Sequence, residues 1–351
     1  IRNLILFFFT RLLGIILILY FLPNYDSRTF TFFDLDYYSN SELNFQSINP
    51  LFSFFVRLIN YDNSNLFNPF FLTISFTLWF LFSIPYLWLG SKVLSNKKSK
   101  YFSIIFGLHP YLALYSLKID SSIFSVIPIS LFFINVCNDF RKNSDIYFFI
   151  TSLSSLFRNS LIPFGWLQVI VYFKKIKKFI SFKLTTITSL ILLSISSFSQ
   201  FQFGGKFLSL NIGCFSFTSI NKWFLGLDFN ETISRILSFI FTPLVHLLLD
   251  FSAREAIGTN CLLIPNDFAS NTFLHIGSTL FFLCLHLFCF VKLIKWIINN
   301  SSKKGLYLLI PFVILLPTLY GPAHMRYLIP LIPALLIFGF IKPKDRINLY
   351  K

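Results

Sequence analysis

The sequence predicts an all-α polytopic membrane protein of about ten transmembrane helices, with both termini cytoplasmic and no separate soluble domain. Three observations carry that expectation. First, 55% of the 351 residues are hydrophobic and only 13% are charged, well below the charge content of a soluble domain. Second, the apolar runs are continuous rather than alternating, which excludes a membrane β-barrel. Third, the basic residues sit in clusters between apolar runs, as cytoplasmic loops do under the positive-inside rule. The net charge of +16 is therefore a membrane signature, and nucleic acid is excluded as a partner. The whole chain, 1–351, reads as one transmembrane domain with two outward loops, 23–68 and 200–271.

The first predicted span is Leu4 to Leu22, with Arg2 and Arg11 on its inner half and Pro23 ending it. No small-residue cleavage site follows, so it reads as a retained span. The outward loop 23–68 holds Phe32-Phe33-Asp34-Leu35-Asp36-Tyr37-Tyr38, two carboxylates in a chain poor in acids. Carboxylates at a membrane face are costly and tend to be kept for chemistry. Phe52 to Ile59, after Asn49-Pro50-Leu51, reads as an amphipathic interfacial stretch.

Pro69 to Leu89 returns to Lys92, Lys97, Lys98 and Lys100. Tyr101 to Leu117 goes out, a tight turn holds Asp120, and Ser122 to Val136 comes back. Ile146 to Phe173 has basic clusters at both ends, Arg141 and Lys142 before it and Lys174, Lys175, Lys177 and Lys178 after it. A single span would put one cluster outside, whereas a hairpin keeps both inside. Each arm would be about 13 residues, or about 20 Å of helix, short of the bilayer core. The tip, Arg158-Asn159-Ser160, then lies within the bilayer's depth, where a guanidinium needs an anion or a wet cavity.

Ile180 to Ser197 exits to the loop 200–271, inside which Ile233 to Leu249 reads as re-entrant or interfacial. Phe273 to Val291, Leu306 to Tyr320 and Tyr327 to Ile341 complete the crossings, with His324 and Arg326 in the last outer turn. There is no internal repeat, which gives an inverted-repeat transporter no support. None of the five cysteines forms a C-x-x-C pair; Cys214 and Cys261 could meet in an outward-facing region, and the plainer reading is two unpaired thiols. His109, His246, His275 and His286 lie in or beside apolar segments without metal spacing.

Asp34, Asp36, Asp120, Arg158, His324 and Arg326 thus share the outer side or the depth just below it. Arginine binds phosphate with a planar fork, and a carboxylate takes the proton from an attacking hydroxyl. That set suits group transfer from a phosphate-bearing lipid. The plainer readings are a polar loop for the D-x-D, turn chemistry for Asp120 and His324, and snorkelling for the arginines.

In four places the chain resembles the GT-C superfamily of membrane glycosyltransferases, which take sugars from polyprenyl-phosphate carriers; protein mannosyltransferases and aminoarabinose transferases are of that kind. They are Asp34-Leu35-Asp36-Tyr37-Tyr38 with Asn49-Pro50-Leu51-Phe52; His109-Pro110-Tyr111-Leu112 through Asp120; Leu156-Phe157-Arg158-Asn159-Ser160-Leu161-Ile162-Pro163; and Met325-Arg326-Tyr327-Leu328-Ile329-Pro330. The family often has Asp-Glu in place of Asp34-Leu35-Asp36, and Pro in place of Asn159. The resemblance implies a GT-C-like helix arrangement and an inverting transfer. The base would be Asp34 or Asp36, assisted by Asp120, and Arg158 and Arg326, with His324, would hold the lipid phosphate. The donor would be a polyprenyl-phosphate-linked sugar and the acceptor a glycan, lipid or protein, at the bacterial inner membrane. The residues themselves call for no cofactor; the resemblance admits a divalent metal, Mg or Mn, near the first-loop acid. Two other readings stand beside it: an envelope polysaccharide polymerase or ligase, and a non-catalytic transporter or flippase of lipid-linked glycans. The transporter predicts polar residues midway along several spans; the sequence places them at one face.

Overall fold

The structure is a computed structural model that describes residues 2–21, 49–61, 68–117, 119–137, 144–175, 184–212, 272–300, 308–312 and 329–341. Among them every regular element is helical. In chain order these are α1 (Arg2–Phe21), α2 (Pro50–Leu58), α3 (Pro69–Val93), α4 (Asn96–Leu108), α5 (Pro110–Tyr115), α6 (Ile123–Cys137), α7 (Ser144–Ser155), α8 (Ile162–Lys175), α9 (Leu184–Ile212), α10 (Thr272–Asn300) and α11 (Ile332–Gly339). One-turn tight helices, Asn159–Leu161 and Ile329–Leu331, precede α8 and α11.

Among the described residues two stretches are long and apolar enough to cross a membrane, Pro69–Val93 and Leu184–Phe201. The 25 residues of α3 make a rod of about 38 Å, longer than a bilayer's hydrocarbon core. Most of each stretch faces outward from the bundle: Phe201 is 87% exposed and Leu184 79%. An apolar exterior on that scale is foreign to soluble monomers.

At the centre stands α6, buried along nearly its whole length. It packs against α3, α7 and the Ile329–Leu331 turn. The buried stripe of α3 runs Phe71, Ser75, Trp79, Ser83 and Tyr86, a spacing of three and four residues that faces one side of a helix. Tyr86 Oη donates to the Pro330 carbonyl, an acceptor that α11 does not use.

The predicted hairpin is present. α7 and α8 are its arms, of 12 and 14 residues, packed against each other. Gln168 Nε2 donates to Thr151 Oγ1 at 2.9 Å between them. Against α8, α9 approaches so closely that a Cβ on Gly165 would stand 2.6 Å from Leu193 Cδ1.

Several sequence expectations are corrected. Tyr101 to Leu117 is not one helix: it breaks at His109, between α4 and α5. The residue before a proline is pushed out of helical conformation, and His109 precedes Pro110 with φ −58° and ψ 116°. Nor does the polar outward loop begin at 200, because α9 continues through Gly204 and Gly205 to Ile212. α10 outruns the predicted Val291 end and reaches Asn300. Arg11 is the tenth of the 20 residues of α1, close to the middle of the helix.

α1 and α4 touch along small residues, as lipid-embedded helices do. A Cβ on Gly107 would collide with Thr10 Oγ1, and one on Gly14 would meet the Gly107 carbonyl at 3.3 Å. Thr10 cannot swing away cheaply, since its hydroxyl already donates to the Leu6 and Phe7 carbonyls.

Candidate functional site

The turn Ile119-Asp120-Ser121-Ser122 sets the site. Asp120 Oδ1 accepts from Ser122 N at 2.7 Å and from Ser122 Oγ at 2.5 Å. This is an Asx turn, the ordinary chemistry of Asp before a helix. The next amides, of Ile123, Phe124 and Ser125, donate to the carbonyls of Asp120, Ser121 and Ser122. Asp120 therefore launches α6 with its carboxylate at the positive end of the helix dipole. What a surface turn does not require is its burial, 4% exposed, since carboxylates are seldom buried without partners.

Arg158 arrives from the hairpin. α7 ends as the Phe157 and Arg158 amides both close onto the Ser154 carbonyl. Arg158 itself is extended, with φ −146° and ψ 108°, and that residue turns the chain toward α8. Phe157 stacks on Phe124, ring centroids 4.3 Å apart, which seats the tip on the first turn of α6. Arg158 Nη1 then donates to Ser121 Oγ at 2.5 Å. Ser121 follows Asp120 directly, so one serine links the guanidinium to the acidic turn. Arg158 is 3% exposed.

The start of α2 fixes the tip from the other side. Asn49 Oδ1 accepts from Asn159 N at 2.7 Å, and Leu51 N donates to the Leu156 carbonyl at 3.1 Å. Pro50 at the first helical position carries no N–H to satisfy, which leaves the Asn49 side chain for the hairpin. From α9, Gln200 Oε1 accepts from Asn159 Nδ2 at 2.7 Å. Tyr61 closes the cluster: its Oη accepts from Ile119 N at 3.4 Å. Burial is the main cause that pushes its phenol well above the usual 10, and the Asp120 charge adds to the shift against the Ile119 bond. Tyr61 therefore stays neutral.

Of the sequence-predicted site residues, Asp120 and Arg158 are brought together through Ser121. Asp34, Asp36, His324 and Arg326 lie outside the described residues, as do Cys214, Cys261 and 233–249. Sequence reasoning missed Asn49 as the residue that pins Asn159, and also Ser121, Tyr61 and Gln200. Asn49 alone left a signal, being an Asn directly before a Pro-initiated helix.

A second polar cluster lies deeper and is also unforeseen. Pro110 has no N–H, so the Phe106 carbonyl, four residues earlier, has no helical donor. Arg11 Nη2 supplies one at 2.6 Å, and Arg11 Nη1 donates to Ser116 Oγ at 3.3 Å. The guanidinium carbon lies 5.2 Å from the Phe7 ring centroid and 5.6 Å from that of Phe106. Beside it, His109 Nε2 and His286 Nε2 are 2.9 Å apart, with ring planes 11° from parallel. That separation is shorter than any face-to-face ring contact, so the imidazoles meet edge to edge, one donating and one accepting. The expectation that polar groups gather at one face alone is corrected: Arg11, His109 and His286 are buried midway along α1, at the α4–α5 break and midway along α10.

Among the described residues no three His, Cys, Asp or Glu side chains stand together as metal ligands. No protein-family model matches the chain, and no curated protein or solved structure matches it.

Proposed function

We propose that the chain is a multi-pass membrane glycosyltransferase, crossing the bilayer about ten times, that moves a sugar from a polyprenyl-phosphate carrier to an acceptor on the outer face of the bacterial inner membrane. The observation that carries this reading is the meeting of Arg158 and Asp120 through Ser121. Three stretches far apart in sequence, around Asn49, Asp120 and Arg158, converge at one end of the bundle. All three belong to the stretches that resemble GT-C enzymes. An always-charged guanidinium beside a helix-capping carboxylate suits a lipid phosphate and the developing negative charge of its departure. In this reading Arg158 and Arg326 hold the phosphate with His324, Asp34 or Asp36 takes the acceptor's proton, and Asp120 assists. If a divalent metal takes part, the first-loop acids are its ligands.

The test is transfer of labelled sugar from a polyprenyl-phosphate donor by membranes carrying Asp34→Asn or Asp36→Asn. At least one variant is expected to lose transfer at unchanged protein level; full activity in both sinks the mechanism.

The mid-depth cluster favours a second reading, a flippase of lipid-linked glycans. Broken helices and polar groups at the midplane are features of transporters. Proteoliposomes separate the two: a flippase moves the labelled lipid between leaflets with the sugar–phosphate bond intact, and the transferase breaks that bond.

A further inference from the structure

We propose that Arg11, Ser75 and Trp79 form a buried site for an oxyanion of the phosphate type, at mid-depth in the bundle and separate from Arg158. The inference does not depend on glycosyl transfer. It rests on three donors that lack acceptors. Arg11 Nε, Ser75 Oγ and Trp79 Nε1 are each buried with no hydrogen-bond partner among the described residues. Their residues are 3%, 0% and 4% exposed. A buried donor without an acceptor is costly, and three of them on two packed helices favour whatever supplies lone pairs.

The register of α1 and α3 sets them at neighbouring levels. Phe8 packs its ring on Phe76 and Phe80 at 5.7 and 5.5 Å, and Phe7 lies 6.0 Å from Phe80. Phe7 shares its apolar cluster with Trp79, while Ile15 shares the next with Phe71. The ring contacts of Phe8 with Phe76 and Phe80, together with the small cluster that holds Ile15 and Phe71, set the two helices antiparallel. Arg11 falls between Phe8 and Ile15, and Ser75 falls between Phe76 and Phe71, so Arg11 and Ser75 share a level. Trp79 is one turn away, within the span of a multi-oxygen anion.

Charge points the same way. The hydrogen bonds of Arg11 go to neutral oxygens, the Phe106 carbonyl and Ser116 Oγ. Asp120 and Asp145 are the carboxylates among the described residues. Asp120 is engaged by Ser122 at the start of α6, and Asp145 lies in the first turn of α7. A guanidinium at this depth calls for an anion. A cation or a neutral apolar ligand would leave all three donors as they are, whereas an oxyanion accepts from each.

The experiment uses the full chain in detergent micelles with farnesyl phosphate, farnesol and inorganic phosphate as probes. The background is Arg158→Gln combined with Arg326→Gln, which removes both arginines assigned above to the donor phosphate. Farnesyl phosphate is expected to bind this background, and farnesol at least tenfold more weakly. Ser75→Ala, which deletes a hydroxyl at nearly constant shape, and Trp79→Phe, which deletes the indole N–H together with one ring, are expected to weaken binding about five- to tenfold each, with melting temperature measured beside binding to separate lost packing from a lost donor. Competition by inorganic phosphate would assign the site to a free anion, and its failure to compete would assign it to a lipid-borne one. The proposal is overturned if the background substitutions alone abolish farnesyl phosphate binding, or if Trp79→Phe and Ser75→Ala both bind like their background. Transfer activity does not enter, so its loss or survival leaves this result readable.

Discussion

Two buried arginines, in clusters at different depths, invite comparison. Arg158 sits at a chain reversal and reaches Ser121 on a turn that exists for its own local reasons. Arg11 sits inside a regular helix and reaches the carbonyl that Pro110 deprives of a donor. Much of the second arrangement is repair of a broken helix. The first differs: the turn that receives Arg158 is held by the bonds of Asp120 to Ser122, local to the start of α6. Burial of a charge alone does not mark a reaction site; a charge the local backbone does not require is the stronger sign.

The predictions sharpen that contrast, beginning with the largest effect. Asp120→Asn keeps an Asx turn, since Asn is also a good turn residue, but removes the charge. Sugar transfer should fall about a hundredfold, about 2.7 kcal/mol in the transition state, with little change in melting temperature. Equal losses of activity and stability would make Asp120 a cap and no more. At the deeper cluster, Gly107→Ala drives a methyl into Thr10 and should cost about 1–3 kcal/mol, read as a lowered melting temperature. Wild-type stability would mean that α1 yields readily at the Arg11 level.

Asn49→Ala leaves the Asn159 amide without its acceptor and should cost about 1 kcal/mol. Its signature is a raised KM for the lipid donor, because Arg158 adjoins Asn159. The smallest effect belongs to Tyr61→Phe, since a 3.4 Å bond contributes less than about 1 kcal/mol. Its pH dependence is more telling. Burial raises the Tyr61 phenol above 10, so the unfolded chain loses that proton first. The stability it confers is complete below pH 10 and lost as pH rises toward the folded value. Alkaline unfolding of Tyr61→Phe should be less steep than that of the parent, and identical curves would show that the phenol is wetter than its burial implies.

The hairpin was legible in the sequence because basic clusters flank both its ends, and the α2 stretch because its apolar residues recur at helical spacing. The break at His109 was written in Pro110, yet the apolar run around it reads as one span. The partner of Arg11 was not legible. Its acceptor is a backbone carbonyl 95 residues away, and backbone atoms carry no sequence signature. The same holds for Ser121, one serine in a chain full of them, which matters only because the hairpin lays Arg158 against it. Asp120 and Arg158 were each visible as charges in apolar surroundings, but their meeting depends on how α6 and α7 pack.

The most direct test of the central claim is sugar transfer from a polyprenyl-phosphate donor by purified Arg158→Gln, with Arg158→Lys beside it. If Arg158 holds the departing phosphate, Arg158→Gln loses transfer by about a hundredfold or more, Arg158→Lys recovers part of it, and both melt near the parent temperature. Undiminished transfer by Arg158→Gln would contradict the account, because the cluster it anchors would then not carry the chemistry.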